Sequence, residues 1–354
     1  LTEAGEALAD HEVYLAPGEN YEAAVVSHQT DATGRFHWDA VPAQMHLHVR
    51  LRGDSLQPRY YISTPTLNLK PGELLENATP SVRELNRPPR PDVPLAEAVP
   101  LVCRDAALNP MGALVVMEGD ETVHARDLVS RLLDGEDTPD ILAYRLISMS
   151  PKQQTAEAAA IADRKWPKPQ AGEVVLIVLD TGGAQAADVR LKSDALEASL
   201  TEGRKFLAAH RPAQRDAMAI LAAAREEAKA SGRRMWVVSG GPRCGPCFRL
   251  ARWMNDQHSL LEKDYVLVKI LGGVDKNSDA VVPLLPGAEG SGIPYHAILE
   301  PDDKVLITSK GRDGNIGMPG GAEGISHLKR MLVETSRRLS AAEIAVLENS
   351  LKTK

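Results

Sequence analysis

Residues 235–254, MWVVSGGPRCGPCFRLARWM, place a short apolar strand, a turn with two cysteines and an amphipathic helix in immediate succession. The run Met235 to Val238, stopped by Ser-Gly-Gly-Pro, suits a buried strand. After it, Leu250, Trp253 and Met254 recur at helical spacing and can face a core. A strand that feeds a helix without a hairpin turn is the building unit of an α/β domain. Free N–H groups and the positive end of the helix dipole favour a thiolate at Cys244, the first cysteine. Cys247, three residues on and one turn into the helix, is within reach to resolve a mixed disulfide, and Gly245 and Pro246 keep the turn between them tight. Three readings of the pair stand: a working dithiol, half of a metal site, or two inert buried thiols. A zinc site needs two further ligands, and the chain holds only Cys103 and ten scattered histidines besides, with no second CxxC or HxxxH.

The order of elements around this stretch occurs twice. Residues 212–354 read as the helix RDAMAILAAAREEAKA, the strand MWVVSG, the cysteine-bearing helix through LLEKD, the strand YVLVKIL, the strand pair YHAILEP and KVLITSK, and the helix GISHLKRMLVETSRRL. Residues 101–211 run GALVVMEG, ETVHARDLVSRLLDG, ILAYRLISMS, QQTAEAAAIADRKW, EVVLIVLD, AADVRL and DALEASLTEGRKFLAAH: strand, helix, strand, helix, strand, strand, helix. At the turn equivalent to the cysteine pair this first copy reads MEGDETV, without cysteine. Ser340 to Glu343 has the spacing of a capping box and opens a last helix, with Ile344, Leu347 and Leu351 on one face. Cys103, alone in PLVCRDAAL, reads as a small core residue of an apolar strand, with a mixed-disulfide partner as the sharper alternative.

Before residue 87 the pattern is different. Short alternating runs, EVYLAPG, EAAVVSHQT, RFHWDAV, MHLHVRL and RYYISTPTLNL, are separated by Gly, Pro and Asp, as in half-buried antiparallel strands. His46 and His48 share one strand face and read as solvent-facing imidazoles, since no third metal ligand accompanies them. Residues 87–100, RPPRPDVPLAEAVP, carry five prolines and read as an extended, semi-rigid linker. The expected architecture is therefore multidomain: an all-β domain over 1–86, the linker over 87–100, a redox-inert α/β domain over 101–211 and a second α/β domain with a helical extension over 212–354.

With 354 residues the chain is long for a single core, which agrees with that division. A net charge of −7 gives no general attraction to nucleic acid or anionic lipid, and the basic pairs Arg233-Arg234 and Arg337-Arg338 are short. The longest apolar runs, such as VVLIVL at 174–179, fall far below the roughly 18–20 residues of a membrane-spanning helix. Three cysteines exclude a framework of structural disulfides without distinguishing compartments. The triplet Asn77-Ala78-Thr79 fits an N-glycosylation sequon but is followed by Pro80 and carries little weight.

The tetrapeptide Cys244-Gly245-Pro246-Cys247 with its entry EEAKASGRRMWVVSG resembles the active-site region of the thioredoxin-like superfamily, in the manner of extracytoplasmic thiol-disulfide oxidoreductases. GIPYHAILEPDDKVLIT is similar to the segment in which that superfamily places a cis X-Pro bond against the redox pair, so the resemblance implies that Ile293 offers backbone hydrogen bonds to a client peptide and that Pro294 blocks metal binding. Two positions depart from the family pattern: Arg243 stands where an aromatic residue is usual, and Val238 where thioredoxins bury a carboxylate. Lys269 matches the family's active-site lysine approximately, and His296 is the histidine expected nearest the pair. The stretch TDATGRFHWDAVPA, 30–43, resembles the carboxypeptidase regulatory-like domain, a transthyretin-like β-sandwich of exported bacterial proteins. Together these resemblances imply a periplasmic or secreted thiol-disulfide oxidoreductase. Cys244 would attack, Cys247 resolve and Arg243 tune the thiolate. Protein thiols and a redox donor would be its partners, with no bound cofactor. The competing class is a redox-dead binding protein that works through the β-sandwich and the inert domain.

Overall fold

The structure, a computed structural model, describes residues 94–119, 123–133, 138–312 and 314–352, together with residue 31 and five short N-terminal strands. Those strands are β1 (Glu12–Pro17), β2 (Val26–Gln29), β3 (Leu47–Arg52), β4 (Tyr60–Ser63) and β5 (Ser81–Glu84). They pair antiparallel in the order β2-β1-β3, with β4 on β5. Four of the five alternating runs thus contain a strand. RFHWDAV, the signature stretch 30–43 apart from Asp31, His46, the sequon and residues 87–93 lie outside the described residues.

The first α/β unit opens with α1 (Leu95–Leu108), which corrects two expectations. The extended linker does not reach residue 100, and Cys103 lies in a helix rather than a strand. Proline content favours an extended chain, but Leu95, Ala98, Val99, Val102, Cys103 and Ala106 form a continuous buried stripe at helical spacing, and Pro100 sits on the exposed side. Burial of that stripe outweighs the roughly 3 kcal/mol that an interior proline costs. The unit continues through β6 (Gly112–Glu118), α2 (Val123–Leu133), a 3-10 turn (Pro139–Ala143), β7 (Tyr144–Met149), α3 (Pro151–Ala156), α4 (Ala158–Asp163), β8 (Glu173–Leu179), β9 (Gln185–Lys192) and α5 (Leu196–Ala209). Ser150 and Gln153 cap α3 reciprocally, and the one helix expected over 153–166 is broken at Glu157.

The second unit comprises α6 (Ala217–Ser231), β10 (Arg234–Gly240), α7 (Gly245–Asp256), α8 (His258–Leu261), β11 (Tyr265–Leu271), β12 (Tyr295–Leu299), β13 (Val305–Thr308), the two-residue pair β14 (Lys310–Gly311) and β15 (Gly314–Asn315), α9 (Gly321–Thr335) and α10 (Ala341–Lys352). Helix α6 is rich in alanine; Asp216 caps its start by accepting the N–H of Met218 and Ala219, and Gly232, with φ of 64°, ends it in the left-handed conformation. Ser340 and Glu343 cap α10, whose Ile344, Leu347 and Leu351 are buried as expected.

Both units have the same sheet: β7-β6-β8-β9 in the first, β11-β10-β12-β13 in the second. In each, the first neighbour of the central strand is parallel and the other two pairings are antiparallel. The two units are not separate bodies. Phe248 of α7, Leu271 and Val274 belong to the hydrophobic core of the first unit, so one core continues across the junction.

Candidate functional site

Cys244 and Cys247 form a disulfide with a Cα–Cα separation of 5.2 Å at the start of α7. Cys244 is the N-cap residue, and its Sγ accepts the N–H of Cys247 at 3.1 Å. That donor and the helix dipole remain when the bond is reduced, and both favour negative charge on Cys244. Cys244 is partly exposed, whereas Cys247 is only 5 % exposed. Gly245 and Pro246 lie at the surface between them.

Facing the pair is the loop before β12. The Ile293-Pro294 bond is cis, the Ile293 carbonyl oxygen lies 3.6 Å from Cys244 Sγ, and the Ile293 side chain is 49 % exposed. Three residues that sequence reading did not single out hold this arrangement. Asn315 donates from its amide nitrogen to the carbonyls of Gly292 and Pro294, both at 3.0 Å, while its Oδ1 accepts from Ser309 Oγ and Gly317 N–H. A Cβ on Gly240 would stand 3.2 Å from Cys247 Sγ, and one on Gly241 would stand 2.8 Å from Ile293 Cδ1. The Gly-Gly pair of the sequence thus makes room for the inner sulfur and for the facing loop. It was the one signal that could have identified part of this cradle.

The remaining candidates divide. Val238 pairs across the sheet with Lys269 on one side and His296 on the other. The Lys269 Nζ donates to the carbonyl of Leu108, in the first unit, at 2.6 Å. Burial, then the neighbouring Arg215, push its pKa from 10.5 down to about 8. Arg243 immediately precedes Cys244, yet its guanidinium reaches to the carbonyl of Leu133 at the end of α2. The side chain is thereby held by the first unit. His296 is fully buried: Trp236 Nε1–H donates to its Nδ1 at 3.2 Å, and its Nε2 faces the carbonyl of Gly317 at 3.1 Å. Burial pushes its pKa down to about 4, so it is a neutral structural residue whose ring nitrogens are both engaged. Arg249, exposed on α7, places Nη1 4.0 Å from where a Cβ of Gly245 would be. Cys103 is buried on α1 with its Sγ 3.7 Å from the carbonyl oxygen of Asp180, and burial followed by Asp180 pushes its thiol up, away from reactivity.

Among the described residues no group of three or more His, Cys, Asp or Glu side chains is arranged to hold a metal ion, and no helix is long and apolar enough to cross a membrane.

Residues 216–301 match the protein family described as thioredoxin-like. Among solved structures, the chain is similar to a disulphide isomerase from Xylella fastidiosa Temecula1, at 20 % identity over 39 % of this chain and 92 % of that one, with a TM-score of 0.25. It is also similar to ERdj5 form II (13 % identity, 62 % of this chain and 26 % of that one, TM-score 0.26) and to the zinc-bound form of human ERp44 (13 %, 69 % and 60 %, TM-score 0.22). At these TM-scores the alignments add nothing to the strand order described above. No curated protein matches the chain. The family match runs from α6 to β12 and includes the cysteine turn, so this part of the second α/β unit is thioredoxin-like.

Proposed function

We propose that this protein is a thiol-disulfide oxidoreductase that exchanges disulfides with the cysteines of other proteins through Cys244 and Cys247. One observation carries the reading: a partly exposed sulfur at a helix N-cap is bonded to a buried one and faces the carbonyl of Ile293 beside a cis-proline. In the oxidising direction, a client thiolate attacks Cys244 Sγ, the Cys244–Cys247 bond breaks, and Cys247 leaves as a thiolate that takes a proton. A second client thiolate then attacks the client sulfur of the mixed disulfide and releases Cys244. Two electrons pass from client to protein, and the reducing direction is the reverse. The exposed Ile293, its carbonyl and the loop fixed by Asn315 would position the client chain. No bound cofactor is needed for this exchange.

The N-terminal antiparallel strands support, as a proposal, a β-sandwich of the carboxypeptidase regulatory-like type over 1–86. With it goes an extracytoplasmic location, where such exchange has protein clients. The first α/β unit, which repeats the strand order of the second, is read as a degenerate thioredoxin-like copy.

Equilibration of the protein in glutathione buffers, followed by alkylation and mass spectrometry of Cys244 and Cys247, tests the central reading. A reversible two-electron transition between about −120 and −270 mV is expected. A pair that never closes, or closes irreversibly, rejects it and leaves a redox-dead binding protein.

A further inference from the structure

The first α/β unit has no cysteine at its equivalent turn, but it meets the second unit on the redox helix. Asp105 of α1 is fully buried and accepts from Arg252 of α7 at 2.5 Å and from Arg145 of β7 at 3.2 Å. The Arg145 guanidinium lies 3.8 Å over the ring of Phe248, the residue after Cys247. Two helix ends of the same unit complete the contact. Leu108, the last residue of α1, presents its carbonyl to Lys269, and Leu133, the last of α2, presents its carbonyl to Arg243. Unpaired carbonyls at the negative end of a helix are natural acceptors for cations.

Two of these cations can be placed relative to the dithiol. Arg243 is adjacent to Cys244 in the chain. Lys269 is the cross-strand partner of Val238, and two residues further along the same strands Gly240 pairs with Leu271, where Cys247 Sγ packs. Side chains two residues apart share a sheet face, so Lys269 lies on the face that carries the inner sulfur.

We infer that the first α/β unit is a working part of the redox site: the Leu108 and Leu133 carbonyls and the Asp105 carboxylate fix Lys269, Arg243 and Arg252, and thereby set the potential of the Cys244–Cys247 disulfide. This rests on the oxidoreductase reading. These are positioning residues that act through the charge around the sulfurs. The reaction that reads them is the balanced exchange of the protein disulfide and two glutathione thiols for the protein dithiol and one glutathione disulfide. A cation near Cys244 favours the reduced form by stabilising its thiolate, and a carboxylate that neutralises such a cation opposes this.

The test compares the glutathione equilibrium constant for forming the protein disulfide, at pH 7, across variants of the full chain. Lys269→Met, which removes a cation, should raise it about tenfold, equivalent to about 30 mV toward a more reducing pair, and Lys269→Arg should restore it. Asp105→Asn, which leaves Arg252 uncompensated, should move it severalfold in the opposite direction. If Asp105→Asn does not fold, Arg252→Met should raise the constant severalfold and the double variant Asp105→Asn/Arg252→Met should return it toward the wild-type value. Constants within twofold of wild type in every folded variant would show that the first unit is scaffold only and overturn the inference. A wild-type pair that does not cycle at all overturns the oxidoreductase reading, and this inference falls with it.

Discussion

The two α/β units share a strand order and differ at the turn after the central strand. In the second unit, β10 ends at Gly240, Gly241 follows, and the space left by two missing side chains admits Cys247 and Ile293. In the first, β6 ends at Glu118 and the chain closes on itself: Gly119 N–H donates to the carbonyl of Glu173 at 2.8 Å, and a Cβ at Gly119 would stand 1.8 Å from the carbonyl oxygen of Gln170. The segment before β8 therefore presses its backbone into the place where the segment before β12 presents a cis-proline loop to a disulfide. The same scaffold is filled by backbone in one copy and opened for sulfur in the other. The difference lies in a few residues at one turn and in the loop that faces it.

The comparison is sharpened most by removing what only the second unit has. Cys244→Ser should abolish thiol-disulfide turnover while leaving circular dichroism unchanged, and Cys247→Ser should accumulate a mixed disulfide with client or glutathione. Persistent turnover in Cys244→Ser would return the second unit to the status of the first.

The glycines are next. Gly119→Ala meets backbone that cannot yield, and should cost about 3 kcal/mol of stability, read by denaturant unfolding. Gly241→Ala meets only the end of the Ile293 side chain, so it should cost far less stability and instead slow the reaction with a client peptide. Equal stability losses would mean that the two turns are built alike.

The second unit also carries a pH dependence near neutrality through His296. His296 is held neutral with its pKa near 4 against an ordinary 6.5. The unfolded chain therefore binds the extra proton first, and stability should fall as pH drops from about 6.5 to 4, by on the order of 3 kcal/mol. Chemical denaturation across that range checks it, and His296→Gln should flatten the curve. Lys269 acts at the other end of the scale: with its pKa lowered to about 8, the wild type should gain stability relative to Lys269→Met as pH rises from about 8 to 10.5. The smallest effect expected is that of Arg243→Ala. It removes an exposed cation, and should shift the glutathione equilibrium only about threefold toward the disulfide.

Much of this contrast could be read from the chain. The β10–turn–α7 junction was visible because an apolar strand, two cysteines and a 3.6-residue apolar period lie within 20 residues of each other. Ile293-Pro294 was singled out only through the resemblance of GIPYHAILEPDDKVLIT to the cis X-Pro segment of the thioredoxin-like superfamily, and the bond is cis. Helix α1 was misread, as linker up to residue 100 and as a strand around Cys103, because five prolines in 87–100 outweighed, in a local reading, the buried stripe that begins at Leu95. Asn315 gave no signal, since an asparagine in a Gly-rich turn is ordinary until its partners at Gly292 and Pro294 are known.

By itself the sequence determined most of the order of strands and helices from β6 onward, the doubled α/β pattern and the placement of two cysteines at a helix start, because periodicity and helix-end chemistry act within short windows. Only the tertiary structure decided what covers the cysteine-bearing helix α7 and where the cations around it go. Asp105 and Arg252 are 147 positions apart, Leu108 and Lys269 161, and Leu133 and Arg243 110. Pairings at that distance are set by how two sheets and their helices bury a common core, and no local pattern specifies which carbonyl or carboxylate ends beside which cation.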